Sequence, residues 1–149
     1  MPLKRKNTSR KETMSRYIKI DEWDFSISVR VRKERGCCPT REPMNWLRFS
    51  GLLEEPVKGV TPVIGSIFPE ADVSLRGSES DPCVGSIISI RKTVDVVLIV
   101  SFQEYSWLLT LASGGQLGAC YLHFSQPMRG RALVYSFSFD KELPPIDDR

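Results

Sequence analysis

Most general-base and triad mechanisms need a histidine, and this chain has one, His123. It stands in Ala119-Cys120-Tyr121-Leu122-His123-Phe124, a run of strand length and composition. Residues three apart in a strand point to opposite faces, so Cys120 and His123 cannot share an ion. His123 has no partner at strand-compatible spacing and is expected neither to catalyse nor to bind metal. A serine hydrolase elbow needs Gly-x-Ser-x-Gly; Gly65-Ser66 and Gly85-Ser86 both lack the second glycine. Cys37-Cys38 lacks the spacer of a zinc knuckle, and the ring that a bond between adjacent cysteines would close is strained. The basic N-terminus is followed by no apolar segment, so no export signal is read, and the four cysteines are expected to be reduced thiols, two of them in the core. The acids Asp21, Glu22 and Asp24, and the pair Glu54-Glu55, fall where strands are expected to end, as solvated turn residues do. Gly114-Gly115 ends a helical pattern, whereas a phosphate loop begins one. No catalytic set, metal site or cofactor is expected.

Cations are the remaining chemistry. The chain carries 21 Lys and Arg against 18 Asp and Glu, a net charge of +3. Residues 1–41 hold twelve cations and five acids, so the basic character is concentrated in the first third. Arg30 and Arg32 alternate with apolar residues on the wet face of a strand, Lys33 and Arg35 carry the charge into the following loop, and Arg48 can join from a neighbouring strand. Basic side chains on a sheet with aromatic neighbours are how several β modules hold single-stranded nucleic acid. No helix-turn-helix or RNP-like pattern accompanies them. Nucleic-acid binding is therefore the second reading of function.

The elements that position these residues are mostly strands. Residues 1–13 are polar and aperiodic and read as a disordered basic leader, with Met14 offering a second start. A short strand is expected at 17–20. Phe25, Ile27, Val29 and Val31 alternate with Ser26, Ser28, Arg30 and Arg32, which predicts a strand with one buried face. Residues 33–43 read as loop, 46–53 as strand, and 60–68 as an edge or bulged strand because Pro62 and Gly65 interrupt it. Residues 69–82 read as loop with a short strand at 73–75. Residues 86–91 and 94–100 predict a hairpin whose second strand is central, being apolar on both faces except at Asp95. Residues 119–124 and 132–139 close the fold, with Leu133, Tyr135, Phe137 and Phe139 expected to face the core.

One helix is expected over about 102–113. Ser101 and Glu104 form a capping box, and Gly114-Gly115 supplies the stop. Its polar residues, Gln103, Ser106, Thr110 and Ser113, make a narrow stripe, so the apolar remainder exceeds what one sheet covers. That surplus points to Trp107 and Leu111 as an interface with a second copy.

The sequence thus predicts an α+β, mostly β, protein: a twisted antiparallel sheet of about six to eight strands with one packed helix, or alternatively a partly open β-barrel. Residues 14–143 form a single globular domain and 144–149 a tail. No apolar run is long enough to span a membrane as a helix, and a cytoplasmic location is expected. The expected function is that of a non-enzymatic interaction protein, self-associating as a dimer, with a further protein partner or nucleic acid as other ligands.

Overall fold

A computed structural model describes residues 12–33, 35–71, 76–78 and 80–148. The chain is mostly β with one helix, the class its pattern predicts. Seven strands hydrogen-bond in a closed ring: β1 (Thr13–Arg32), β2 (Thr40–Val57), β3 (Val60–Glu70), β7 (Val94–Ser101), β6 (Gly85–Ile90), β9 (Ala132–Asp140) and β8 (Ala119–Ser125), which returns to β1. The strands β4 (Arg76–Ser78) and β5 (Asp81–Cys83) form a separate two-stranded ribbon. The short strand expected at 73–75 lies outside the described residues, as does most of the expected leader; β1 begins at Thr13.

Two expectations about the sheet are corrected. It is mixed, not antiparallel, because β3 and β7 pair in parallel from Val63↔Val94 to Glu70↔Ser101. It is also closed, since Thr13–Lys19 of β1 pairs with Ala119–Ser125 of β8. The strand β3 is not an edge, since it lies between β2 and β7; the irregularity expected at its proline is present in the β2 pairing, whose register shifts between Leu52, opposite Pro62, and Val57, while the pairing is regular at Gly65. Pro62 precedes the first β7 pair, so its missing N–H leaves that ladder intact. Gly65 makes room for a ring: a Cβ there would stand 2.2 Å from Phe49.

Inside the ring the core is side chains from every wall strand, among them Ile18, Phe49, Ile67, Leu98, Leu122, Phe124 and Val134, all at most 2% exposed. A ring of this size is filled by side chains and has no channel. The inward row of β9 changes parity along the strand. Ala132 and Val134 are buried, and beyond a register shift opposite His123 and Phe124 the residues packed on the core are Phe137 and Phe139. Leu133 and Tyr135, expected inside, are not core residues for that reason.

The helix α1 (Phe102–Ser113) sits at the end of the ring where β3 and β7 finish. Ser101 Oγ accepts from the Glu104 amide at 3.0 Å, as the capping box predicts. Gly115, at φ +70°, ends the helix, with its amide and that of Gln116 closing onto Ala112 and Leu111. Tyr105 and Ala112 are buried, with Leu108 and Leu109 half-packed on the core. No helix is long and apolar enough to cross a membrane among the described residues.

Candidate interaction surface

The first strand passes straight through the acid cluster that was expected to end one. A bulge between Ile20 and Glu22 shifts its parity: Ile18 and Ile20 face the core before it, and Trp23 does so after it. Asp21, Glu22 and Asp24 are thus mid-strand and exposed. Beyond this bulge β1 pairs with β2 alone among the described residues, in an unbroken register from Glu22↔Ser50 to Arg32↔Thr40. On its other side β2 meets β3 only from Leu47 onward. The hairpin formed by the second half of β1 and the first half of β2 therefore projects from the rim as a two-stranded ribbon.

This overturns the burial expected of the clearest alternating run. Phe25, Ile27, Val29 and Val31 are 57%, 61%, 47% and 65% exposed. They continue the row that begins with inward Trp23, but the wall that would cover them has ended. Period-2 alternation reports a two-faced strand and says nothing of what lies opposite the apolar face.

The ribbon is anchored by aromatic packing. Trp23 lies 5.4 Å from Phe49 and 5.6 Å from Phe139 between ring centroids, and Phe49 meets Phe139 edge-on at 5.5 Å. The Trp23 indole donates to the Leu117 carbonyl at 2.8 Å. Next to this cluster a cleft of about 260 Å³ runs between α1 and β9, lined by Trp107, Leu108, Leu111, Leu117, Phe137 and Phe139 among others. Trp107 and Leu111, the expected interface residues, are 57% and 43% exposed. The surplus apolar surface of the helix is therefore left uncovered by the described residues, and the shared Phe139 joins it to the ribbon base.

The basic residues divide. Arg30 and Arg32 lie on the ribbon face opposite the apolar row, where Glu42 of β2 reaches both, at 3.0 Å and 3.8 Å. Lys33 and Arg35 follow at the tip and are exposed. Arg48 is not with them. It sits at the ribbon base opposite Asp24, with its guanidinium 4.6 Å from the Trp46 ring centroid, about 20 Å along the strand from the Arg30 position. Arg41 is also near the tip, because β2 begins at Thr40 where loop is expected, but it stands opposite Val31 and so lies on the face of the apolar row, not with Arg30 and Arg32.

His123 has a partner that strand spacing within one segment could not reveal. Its Nδ1 is 2.9 Å from Ser15 Oγ on β1, and Tyr121 donates its hydroxyl to the same Oγ at 2.8 Å. Ser15 and His123 are directly opposed in the β1–β8 register, so the contact is an ordinary cross-strand pair. A serine nucleophile also needs an oriented base and oxyanion donors around a bound carbonyl. Neither Ser15 nor His123 lines the cleft of about 590 Å³ on the outer wall, which is mostly apolar and bounded by Ile87, Ile88, Met128 and Leu133 with Glu12, Asp81 and Arg131. In that region Tyr135 donates to Asp81 at 3.0 Å.

The cysteines are all free; Cys83 and Cys120 are buried, and Cys37 and Cys38 are exposed at the ribbon tip. Burial, with the nearby Asp140 charge, pushes the Cys120 thiol far above its ordinary value, so it is a core residue and not a reactive one. Groups of three or more metal-ligating side chains are absent among the described residues. No protein-family model matches the chain, and no curated protein or solved structure matches it either.

Proposed function

We propose that the protein is a non-catalytic interaction module that associates with itself through the projecting β-ribbon. The observation that carries this is the row Phe25, Ile27, Val29 and Val31, about half exposed or more on an element that no other part of the chain covers among the described residues. Full burial of such a side chain is worth about 1.5–3 kcal/mol, and a contiguous apolar patch of this kind is characteristic of interaction sites. The cleft beside Trp107 and Leu111 extends the patch onto the helix. Light scattering after size exclusion, over a dilution series at micromolar concentration, tests the reading. A mass above the 16.9 kDa of one chain is expected, falling to that value in a Phe25→Ser/Val31→Ser variant. A mass of one chain at every concentration would refute it.

The second reading, nucleic-acid binding, is favoured by the clustering of Arg30, Arg32, Lys33, Arg35 and Arg41 toward one end of the ribbon. Retention on DNA resin that falls steeply with salt, and is lost in a Lys33→Ala/Arg35→Ala variant, would support it. Retention unaffected by that variant would count against the ribbon tip as the site.

A further inference from the structure

We infer that two copies pair in antiparallel register through the open edge of β1, centred on Ile27. This rests on the self-association proposed above and specifies its geometry. Among the described residues the ribbon has two open edges, and they are not equivalent. The β2 edge carries Pro43, opposite Val29, which has no N–H to donate to a further strand and blunts that edge. Between Glu22 and Arg32 the β1 edge has neither proline nor glycine. The Phe25 amide donates to Asp24 Oδ1 at 2.8 Å, which marks the odd-numbered amides as those on the open side.

The charges then select the register. About Ile27, β1 reads as a mirror with the sign reversed: Asp24 is matched by Arg30, and Glu22 by Arg32. A second β1 laid antiparallel on this edge with Ile27 opposite Ile27 places each acid of one copy opposite a base of the other. The same register sets Phe25 opposite Val29 and Trp23 opposite Val31 on the apolar face. Opposed residues are then both odd-numbered, with N–H and C=O directed at the partner, as an antiparallel ladder requires. Arg30 already meets Glu42 on β2, and Asp24 already faces Arg48. The four-stranded sheet would therefore carry Glu42, Arg30, Asp24 and Arg48 in one row of alternating sign, the last two from the second copy. A shift of two residues would put Ser26 or Ser28 opposite a charge and break the row. Opposite charges across strands stabilise and like charges repel, so the pattern fixes one register.

A charge-reversal cycle tests this. Glu22→Arg places like charges opposite the partner's Arg32, and Arg32→Glu does so opposite the partner's Glu22; each alone should weaken the dimer about tenfold. The double variant restores opposite charges and should recover most of the affinity. Both residues are exposed and outside the ring's core, so the ring should stay folded; Arg32→Glu also loses the contact with Glu42, a loss that the double variant keeps, so recovery of affinity there reports the contact between copies. Cross-linking supplies a second readout in a Cys37→Ser/Cys38→Ser chain. Ile27→Cys should form a disulfide-linked dimer, because hydrogen-bonded pairs stand about 5.5 Å apart at Cα, within disulfide reach. Val31→Cys should not, because the two copies of that residue would be about 27 Å apart along the strands. If both single reversals leave a measurable dimer unchanged, or Val31→Cys cross-links and Ile27→Cys does not, this register is wrong while self-association stands. If the unmodified chain never exceeds one chain's mass, both readings fail together.

Discussion

Trp23 stands where the ribbon leaves the ring, and it does two things at once: its ring completes the cluster with Phe49 and Phe139, and its N–H satisfies the Leu117 carbonyl. Trp23→Ala should cost about 3 kcal/mol by urea unfolding, since a large ring is lost from a packed cluster. Trp23→Phe should cost less, about 1–2 kcal/mol, through loss of the hydrogen bond and of part of the packed ring. A buried thiol gives the chain a pH dependence on the alkaline side. The folded state holds Cys120 protonated well above its ordinary range, while the unfolded chain releases that proton near pH 8.5. The unfolded state then binds fewer protons than the folded one, so stability is constant below pH 8.5 and falls above it, by about 1.4 kcal/mol per unit. Urea midpoints from pH 7.5 to 9.5 under reductant should show this slope, and Cys120→Ala should remove it. Burial also raises Tyr105, which adds to the fall only beyond its own ordinary value of 10.

At the scale of elements, the helix and the ribbon make contrasting predictions. Ser101→Ala removes the acceptor of the Glu104 amide and should cost about 1 kcal/mol in thermal or urea unfolding. Trp107→Glu, on the exposed side of α1, should shift stability by no more than about 0.5 kcal/mol. Replacing residues 26–46 by an Asn-Gly turn should leave a cooperatively folding ring, because the core lies below the rim; far-UV circular dichroism with a single melting transition checks it. The helix was legible in the sequence to the residue, since a capping box and a glycine stop are local signals. So was the β6–β7 hairpin, whereas a closed ring has no central strand for β7 to be. The ribbon was legible as alternation but not as exposure: whether Phe25 and Ile27 meet a wall depends on where β3 and β8 end, which no local pattern encodes. The parity change in β9 and the bulge in β1 were illegible for a related reason. Each is set by the residues on the facing strand, so Tyr135 and Asp21 carry no mark of it in their own segments. The pairing of Ser15 with His123 required knowing that the two ends of the chain meet.

At the scale of the whole molecule, that meeting is the feature with the widest reach. The ring closes only when β1 joins β8, through pairs such as Ser15 and His123, whose side chains also meet across 108 residues of sequence. Contacts of such sequence separation form late and slow folding, because the chain between them must be ordered first. On a ribosome adding about 5–20 residues per second, the lower half of β1 emerges about 5–20 s before the strand it needs. Throughout that interval β1 can pair with β2 but has no neighbour on its other side, so its whole length is an open template for strands of other nascent chains. A chain truncated before β8 should accordingly aggregate on release, and refolding of the full chain should slow sharply when Tyr17 or Ile18, which sit in the closing seam, is changed to alanine only if that seam forms in the transition state. An unfolding rate raised by Ile18→Ala, with the refolding rate unchanged, would place closure after the barrier and make the first strand synthesised the last one secured.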